Sequence, residues 1–384
     1  MSSGSQSKAA RAEREPYTRA GRVKPAAPAP ATAPTPLPQG EGAPARSART
    51  RAGLVAIVGR PNVGKSTFLN AALGVDLAIV SKTPQTTRSS LLGIVHKELR
   101  SGFLAELRLY DTPGLHDGKT TLNRRMNESA RAVLASADAV LFMIAAPKVD
   151  PGSHDRGGDL SLDSRDKALL TAIPESAQIV LALNKVDRVR DKRMLLSLIA
   201  SAAAVRPLAA IVPLSALKND GVDRLLEEAG ALLPEAPHEY GEDDLTDKPM
   251  RFFASEYVRE QVLLAAREEV PHATAVSVDA FEVGAKITRI AATVHVERLG
   301  HKKILVGEGG AMLKHIGTHA RLRIEELLGG RVRLELFVRV TEGWRNSPAL
   351  LDELGYDDLS REATARPRRG AKAAGRAQSK KARS

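Results

Sequence analysis

The stretch that most constrains the fold of this chain runs from Gly59 to Thr67 and has the pattern G-x-x-x-x-G-K-S-T. It follows an apolar run, Leu54 to Val58, and leads into the segment Phe68 to Leu73. A buried strand, a glycine-rich turn and a helix in this order predict a loop that binds the phosphate chain of a nucleotide. The predicted binding residues are Gly59, Arg60, Pro61, Asn62, Val63, Gly64, Lys65, Ser66 and Thr67.

The chemistry of this loop follows from four of its residues. Gly59 and Gly64 let the backbone curl so that successive N–H groups point at the phosphates, and the helix N-terminus behind them adds partial positive charge. Lys65 can reach the β- and γ-phosphates, and the Ser66 hydroxyl can bind Mg²⁺. The alternative is a chance glycine-rich turn, so the interpretation depends on what lies downstream.

Three further motifs follow in order, each where an apolar strand gives way to a loop. In the first, Asp111 can hold Mg²⁺ through water and the Gly114 N–H can sense a γ-phosphate. The motifs are Asp111-Thr112-Pro113-Gly114, Asn184-Lys185-Val186-Asp187 and Ser215-Ala216-Leu217.

The second and third motifs predict a guanine base. Asp187 can accept hydrogen bonds from the guanine N1–H and exocyclic amine, whereas adenine would leave a buried Asp187 unpaired. Asn184 can support the purine edge, the Lys185 stem can cover the base, and the Ala216 N–H can reach guanine O6. Each motif alone is weak evidence for a nucleotide site. All four in one order resemble the GTPase superfamily, and they predict a GTP-binding enzyme.

Catalysis is less well defined by the sequence. The segment Thr83 to Arg88 occupies the place of the first switch, where either Thr86 or Thr87 can bind Mg²⁺ and the γ-phosphate. Leu115 stands where Ras-like enzymes place a glutamine, so we expect slow unaided hydrolysis. In related GTPases an asparagine at the Asn62 position helps ligate K⁺, while the alternative is a turn-forming asparagine. The candidate catalytic residues are therefore Lys65, Thr86, Thr87 and Asn62. The candidate cofactors are Mg²⁺ and, through Asn62, K⁺.

Apolar runs alternate with helical segments from Leu54 to Leu233, which predicts a mostly parallel sheet with helices on both faces. The expected strands include Leu77–Val80 and Leu91–Val95 around a polar loop. Pro147 to Ser164, rich in Gly, Asp and Ser, predicts a surface insertion.

After Pro249 the pattern changes to that of a second, smaller α+β domain. A helix is predicted over Met250–Val270, then strands over Ala273–Val283 and Lys286–Val296, a helix over Met312–Leu327 and a strand over Arg331–Val340. Gly307-Glu308-Gly309-Gly310 lies between a basic apolar stretch and the second helix. This is the arrangement of a KH domain, whose G-x-x-G turn brings backbone amides to a nucleic-acid strand.

The basic character of the chain lies in its ends. Its net charge is +12, but residues 1–52 carry nine basic and three acidic residues and residues 361–384 carry nine and one, so residues 53–360 sum to −2. Residues 1–52 and 365–384 have the composition of disordered basic tails, which can attract RNA or an anionic membrane, or merely aid solubility. With no cysteine there are no disulfides or thiolate metal sites, and no apolar run predicts a membrane span or a secretory signal.

Residues 53–360 resemble the Era family of bacterial GTPases. The shared motifs are the phosphate loop, Gln85-Thr86-Thr87-Arg88, Asp111 to His116, Arg251 to Glu256, Val306 to Gly310, Leu313 to Gly317 and Glu342 to Arg345. The resemblance implies a P-loop GTPase domain over residues 53–234, a linker over 235–249, a type II KH domain over 250–345, and a C-terminal segment over 346–364. It also implies RNA-binding residues, namely Lys302, Lys303, Gly307, Glu308, Gly309, Gly310 and Lys314.

The family resemblance implies a GTP-controlled factor that binds 16S rRNA near its 3′ end and assists 30S subunit assembly. It further implies a cytoplasmic protein, partly associated with the inner membrane, and we expect a monomer. Glu308 departs from the family, which often has a basic residue in this turn. Two alternatives stay open: an RNA-binding scaffold with incidental GTPase activity, and a regulatory GTPase at a membrane surface.

Overall fold

A computed structural model describes residues 16–18, 49–81, 88, 90–112, 120–147, 161–189, 191–266 and 269–356. They form two α/β units. The strands, in chain order, are β1 (Pro16–Thr18), β2 (Thr50–Val58), β3 (Leu91–Glu98), β4 (Leu104–Asp111), β5 (Ala139–Ala145), β6 (Ile179–Asn184), β7 (Ala210–Pro213), β8 (Asp244–Pro249), β9 (Thr274–Val283), β10 (Thr288–Val296) and β11 (Val332–Val340). The helices are α1 (Lys65–Leu73), α2 (Thr121–Ser136), α3 (Ser164–Ala172), α4 (Met194–Ala203), α5 (Val222–Ala231), α6 (Met250–Ala265), α7 (Leu299–Val306), α8 (Ala311–Leu328) and α9 (Pro348–Glu353).

The first unit is a six-stranded sheet of order β3-β4-β2-β5-β6-β7. Only the β3–β4 pair is antiparallel. Every residue of β6 is buried, as expected of a central strand covered on both faces. The prediction of a mostly parallel sheet flanked by helices is confirmed, and this topology brings the loops after β2, β4, β6 and β7 to one edge of the sheet.

The second unit is a three-stranded sheet of order β11-β10-β9, in which β10 runs parallel to β11 and antiparallel to β9. Its core joins Val258 and Val262 of α6, Ile316 and Ala320 of α8, and Val294 of β10. The chain order helix, two strands, two helices, strand is that of the predicted type II KH domain. The prediction of this fold is confirmed.

The prediction of a strand over Leu77–Val80 is wrong, although Leu77, Ala78 and Ile79 are buried as such a strand would be. The side chain of Asn70 on α1 takes the place of a neighbouring strand. Its Oδ1 accepts from the Ala78 N–H and its Nδ2 donates to the Ala78 carbonyl, both over 2.8 Å. The buried backbone is therefore satisfied without a sheet.

Several boundaries differ from those expected. β2 begins at Thr50, inside the expected tail 1–52, because its first residues pair with β4. β1, also within that tail, pairs antiparallel with β8, which occupies the end of the expected linker 235–249. The basic apolar stretch before Gly307 is helix α7, and α6 ends at Ala265 rather than Val270.

Most of both basic tails, and residues 148–160 of the expected insertion, lie outside the described residues, so their expected behaviour stays a prediction. Within the described ranges, none of the helices combines the length and apolarity needed to cross a membrane.

Candidate nucleotide site and its contacts with the second unit

The phosphate-loop residues occupy the turn between β2 and α1, and both glycines are required by close packing. A Cβ on Gly59 would lie 2.2 Å from the carbonyl oxygen of Met143, and one on Gly64, whose φ is +107°, would lie 2.3 Å from Asn184 Nδ2. The loop therefore sits directly against the ends of β5 and β6.

Lys65 is folded back into this loop. Its Nζ donates to the carbonyls of Gly59 (3.0 Å) and Arg60 (3.2 Å), and the side chain is buried. Burial lowers the pKa of Lys65, and the charge of Asp111 opposes that shift. The ammonium is thus held over the curled backbone where phosphates would lie.

Two predicted magnesium ligands meet across the loop. The Ser66 hydroxyl donates to Asp111 Oδ2 over 2.8 Å, and the neighbouring Thr112 hydroxyl donates to the Ile57 carbonyl over the same distance. A hydroxyl and a carboxylate are oxygen donors of the kind that Mg²⁺ prefers. The residues present therefore fit this ion.

Asn184 joins three of the predicted motifs. Its Nδ2 donates to the Val63 carbonyl of the phosphate loop over 2.8 Å. Its Oδ1 accepts from the N–H of Lys185 (2.8 Å) and of Ala216 (3.0 Å). The Ala216 N–H, expected to face guanine O6, here bonds to Asn184, because the third motif packs against the second at the sheet edge.

Asp187 is exposed, not buried as the sequence argument assumed, and its Oδ1 accepts from the Ser215 hydroxyl over 2.7 Å. That hydrogen bond is the main cause of a pKa below the ordinary value for Asp187, so its carboxylate is ionised at neutral pH. Lys185 has φ of +65° and its ammonium donates to the Asn62 carbonyl, which links the base-binding motif to the phosphate loop. Val186 is buried beneath them.

Asn62 is exposed and has φ of +63°, a left-handed conformation that asparagine tolerates well. This satisfies the turn-forming interpretation and also leaves the residue at the open side of the loop. Arg60 pairs with Asp163 (3.1 Å) and Asp166 (3.3 Å) at the start of α3. No spacing rule links these positions, so sequence reasoning missed the pair. Pro113, Gly114, Leu115, Thr86 and Thr87 lie outside the described residues.

The G-x-x-G turn connects α7 to α8, as the KH interpretation requires. Gly307 has φ of +70°, and a Cβ there would lie 2.8 Å from Met312 Cβ. The side chains of Lys303, Glu308 and Lys314 are exposed, and Lys302 is half-buried. Gly309 and Gly310 also have positive φ, so the turn presents backbone rather than side chains.

Arg88, the last residue of the predicted first switch, is 2% exposed and inserted into the second unit. Its guanidinium donates to the carbonyls of Thr274 (2.5 Å), His272 (2.9 Å) and Pro271 (3.0 Å). It also lies 5.9 Å from the Trp344 ring centroid. In the sequence, Arg88 is recognised only as part of a motif, and no pattern predicts its contacts with the second unit.

A second set of contacts crosses between the units nearby. The Tyr257 hydroxyl of α6 donates to the Asp76 carbonyl over 2.9 Å. The Val80 N–H donates to Glu260 Oε1 over 3.3 Å, and Arg323 of α8 lies 3.7 Å from Glu260 Oε2. Burial raises the pKa of Glu260 despite Arg323. The segment after α1 is thus held by α6 and α8.

Comparisons with known proteins identify the family of the chain. Residues 54–185 match the family model described as 50S ribosome-binding GTPase, and residues 269–345 match that of the KH domain. The chain is 43% identical to GTPase Era of Xanthomonas campestris over 80% of its own length and 98% of that protein. It is 44% identical to GTPase Era of Stenotrophomonas maltophilia, over 79% and 97% respectively. The chain belongs to the Era family of GTPases.

Two solved structures of the family have the same architecture. A tyrosine-to-alanine variant of Aquifex aeolicus Era bound to GDP and AlF₄⁻ superposes with a TM-score of 0.73 at 35% identity, covering 80% of this chain and 99% of that one. Era in complex with MgGDPNP and nucleotides 1506–1542 of 16S ribosomal RNA superposes with a TM-score of 0.72 at 36% identity and the same coverage. The predicted GTPase activity is confirmed at the level of the family.

Proposed function

We propose that this Era-family GTPase binds 16S rRNA near its 3′ end through its KH domain, under control of the bound guanine nucleotide, and thereby assists 30S subunit assembly. In support of this proposal, the chain covers 99% of an Era structure solved in complex with MgGDPNP and nucleotides 1506–1542 of 16S ribosomal RNA.

Control of RNA binding by the nucleotide state is supported by the insertion of Arg88 into the KH unit. Arg88 directly follows the segment expected to contact Mg²⁺ and the γ-phosphate, and it is bonded to three carbonyls that precede or begin β9. A movement of that segment on GTP hydrolysis would change these buried bonds. The nucleotide state would then bias the position of the KH unit, which is how two sites become coupled.

At the nucleotide site, the Lys65 ammonium would leave its two carbonyl partners to bind the β- and γ-phosphates. The Ser66 hydroxyl and the Asp111 carboxylate would hold Mg²⁺, with Thr86 or Thr87 completing the set when GTP is bound. Mg²⁺ supplies neutralisation of the charge that develops on the phosphate oxygens. The ionised Asp187 would accept two guanine N–H bonds, and Asn184 would keep the base-binding and phosphate loops in register.

Potassium is the proposed second ion, because Asn62 lies exposed at the open side of the phosphate loop and Leu115 cannot orient a water molecule. GTP turnover should then be faster in K⁺ than in Na⁺ in the wild-type protein and equal in both in Asn62→Ala. Equal rates in the wild-type protein would eliminate this role.

On the KH unit, the backbone of Gly307 to Gly310 would approach the RNA strand, and Lys302, Lys303 and Lys314 would neutralise phosphates at either end of the turn. Glu308 opposes this attraction, so RNA binding must depend on the rest of the surface.

The decisive experiment measures binding of a 16S rRNA 3′-terminal fragment to the protein loaded with GDP or with a non-hydrolysable GTP analogue. We expect tighter binding with the GTP analogue. Equal affinity in both states would support the scaffold alternative, as would normal ribosome assembly in a depletion strain complemented with Lys65→Ala. Crosslinking that recovers no rRNA, together with binding to anionic vesicles, would instead support the membrane alternative.

A further inference from the structure

Three potential metal ligands meet at a site remote in sequence from both the phosphate loop and the G-x-x-G turn. His96 of β3 and Glu106 of β4 are directly paired across the antiparallel ladder. His238 belongs to the segment between α5 and β8, which leads into the KH unit. One ligand atom from each of the three residues lies within 4.8 Å of those of the other two.

The protein supplies hydrogen bonds to some of the potential metal-ligand atoms of this cluster but not to all of them. Glu106 is completely buried, and its Oε2 accepts from the N–H groups of Glu239 and Tyr240, both over 2.8 Å. Among the described residues, Glu106 Oε1 and His96 Nε2 are buried and have no partner within hydrogen-bond distance, although Arg108 Nε lies 3.7 Å from Glu106 Oε1 and His96 Nε2 lies 3.7 Å from Glu106 Oε2. A buried polar atom left in this way is costly unless something binds it.

His238 has the outer-sphere partner that a ligating histidine usually has. With its Nε2 protonated, the ring donates to the Leu104 carbonyl over 3.1 Å, which leaves the lone pair on Nδ1. Metal-binding histidines commonly donate their other ring N–H to a backbone carbonyl in this manner.

The surrounding charges favour a cation. A positive group, Arg108, lies beside the cluster: its Nε is 3.7 Å from Glu106 Oε1 and its Nη1 is paired with Glu239 over 2.5 Å. The carboxylates of Glu106 and Glu239 and the guanidinium of Arg108 sum to −1 before any ion binds.

We propose that His96, Glu106 and His238 form a binding site for a first-row divalent metal ion of the Zn²⁺ type. Two imidazoles and a carboxylate are an established zinc donor set, and ligand atoms around tetrahedral Zn²⁺ lie about 3.3 Å apart, so the three side chains close by roughly 1.5 Å at most. The bound ion ties the segment leading to the KH unit onto the β3–β4 pair of the GTPase unit. Its role is structural.

The test uses the full chain without an affinity tag, stripped with a chelator and then saturated with GDP and Mg²⁺ so that the nucleotide site is filled. Zn²⁺ is titrated against a chromophoric chelator, and Co²⁺ serves as a spectroscopic probe, because four-coordinate Co²⁺ absorbs visible light far more strongly than octahedral Co²⁺. We expect one Zn²⁺ per chain, an intense Co²⁺ spectrum and a higher melting temperature with Zn²⁺.

Three variants, His96→Gln, Glu106→Gln and His238→Gln, should each lower the Zn²⁺ affinity by about 100-fold or more. Glu106→Gln is the most informative, since the amide oxygen still accepts both backbone N–H bonds while the anionic ligand is lost. GDP binding shows that each variant is folded.

The control concerns His315 and His319, an exposed pair on α8 whose ring centroids are 4.2 Å apart and which can bind zinc weakly by itself. All measurements are therefore repeated in a His319→Gln background. Zinc binding that vanishes in this background, or that persists unchanged in the three site variants, would overturn the proposal, as would an octahedral Co²⁺ spectrum.

Discussion

The guanidinium of Arg88 donates a 2.5 Å hydrogen bond to the backbone carbonyl of Thr274, 186 positions further along the chain. It thereby joins the end of the predicted first switch to the start of β9 in the KH unit. A side chain this deeply buried keeps its three carbonyl partners only while the two units keep their present arrangement. It is thus a direct physical link between the two halves of the protein.

Replacing Arg88 by alanine should uncouple RNA affinity from the nucleotide state while GDP binding is retained. The free energy of unfolding should fall by about 3 kcal/mol, because three buried carbonyls lose their donor. Denaturant titration and RNA binding in both nucleotide states measure the two effects. Arg206→Ala is the matched control, since Arg206 also donates to several carbonyls, including that of Ile173, and within the described residues these all belong to the GTPase unit. Nucleotide-dependent RNA binding in Arg88→Ala equal to wild type would refute the coupling.

Ser66→Ala should raise the Mg²⁺ concentration needed for half-maximal GTP hydrolysis by about tenfold, the equivalent of one lost ligand bond. Chelation of Mg²⁺ should abolish turnover in both proteins. The measurement is phosphate release against free Mg²⁺. Ser136→Ala serves as control because, in the part of the chain that the structure describes, that hydroxyl bonds only to carbonyls of its own helix. An unchanged Mg²⁺ requirement in Ser66→Ala would exclude the hydroxyl as a ligand.

Asp187→Asn should weaken GTP binding by more than about 100-fold, because an amide cannot accept from both guanine N–H groups. Xanthosine triphosphate, which carries a carbonyl where guanine has its amine, should gain affinity by accepting from the new amide N–H. Competition against a fluorescent nucleotide measures both. Ordinary GTP affinity in this variant would show that Asp187 does not bind the base.

Glu260 makes stability depend on pH in a definite direction. Its pKa in the folded protein is raised, mainly by burial, above the ordinary value of 4.5. Its contribution to stability is therefore full below that value and is lost as pH rises through the folded-state pKa. Relative to wild type, Glu260→Gln should become more stable as pH is raised from the ordinary glutamate pKa to neutrality, and urea unfolding at a series of pH values measures this difference.

Glu325→Gln is the control of opposite sign. The Val332 N–H, which donates to Glu325 Oε1 over 2.9 Å, is the main cause of a lowered pKa at that carboxyl. Its contribution to stability is present at neutral pH and declines only as pH falls. If the difference in free energy of unfolding between Glu260→Gln and wild type does not vary with pH, the pKa of Glu260 is not raised in the folded protein.

Glu308→Lys should tighten RNA binding and steepen its salt dependence, by about 0.7 in the slope of log affinity against log salt for each added phosphate contact. Glu282→Lys, an exposed position on β9 with the same change in charge, separates the local effect from net charge. If both variants bind RNA equally, the G-x-x-G turn does not approach the phosphate backbone.

Much of the nucleotide site can be predicted because its motifs are local. Each strand end and its following loop can be recognised within a few residues, so the sequence alone assigns Ser66, Asp111, Asn184 and Asp187 to one site. The Leu77–Val80 segment shows the limit of such patterns. Its apolarity correctly predicts burial, but the partner that satisfies its backbone is the side chain of Asn70 rather than a strand.

The sequence by itself determined the two folds, their order, and the binding chemistry of each, because periodic burial and short motifs are encoded in neighbouring residues. Only the tertiary structure decided that Arg88 enters the KH unit, that Arg60 meets Asp163, and that His96, Glu106 and His238 come together. Those partners are separated by as many as 186 positions, and hydrophobic periodicity specifies which face of an element is buried without specifying which distant element covers it.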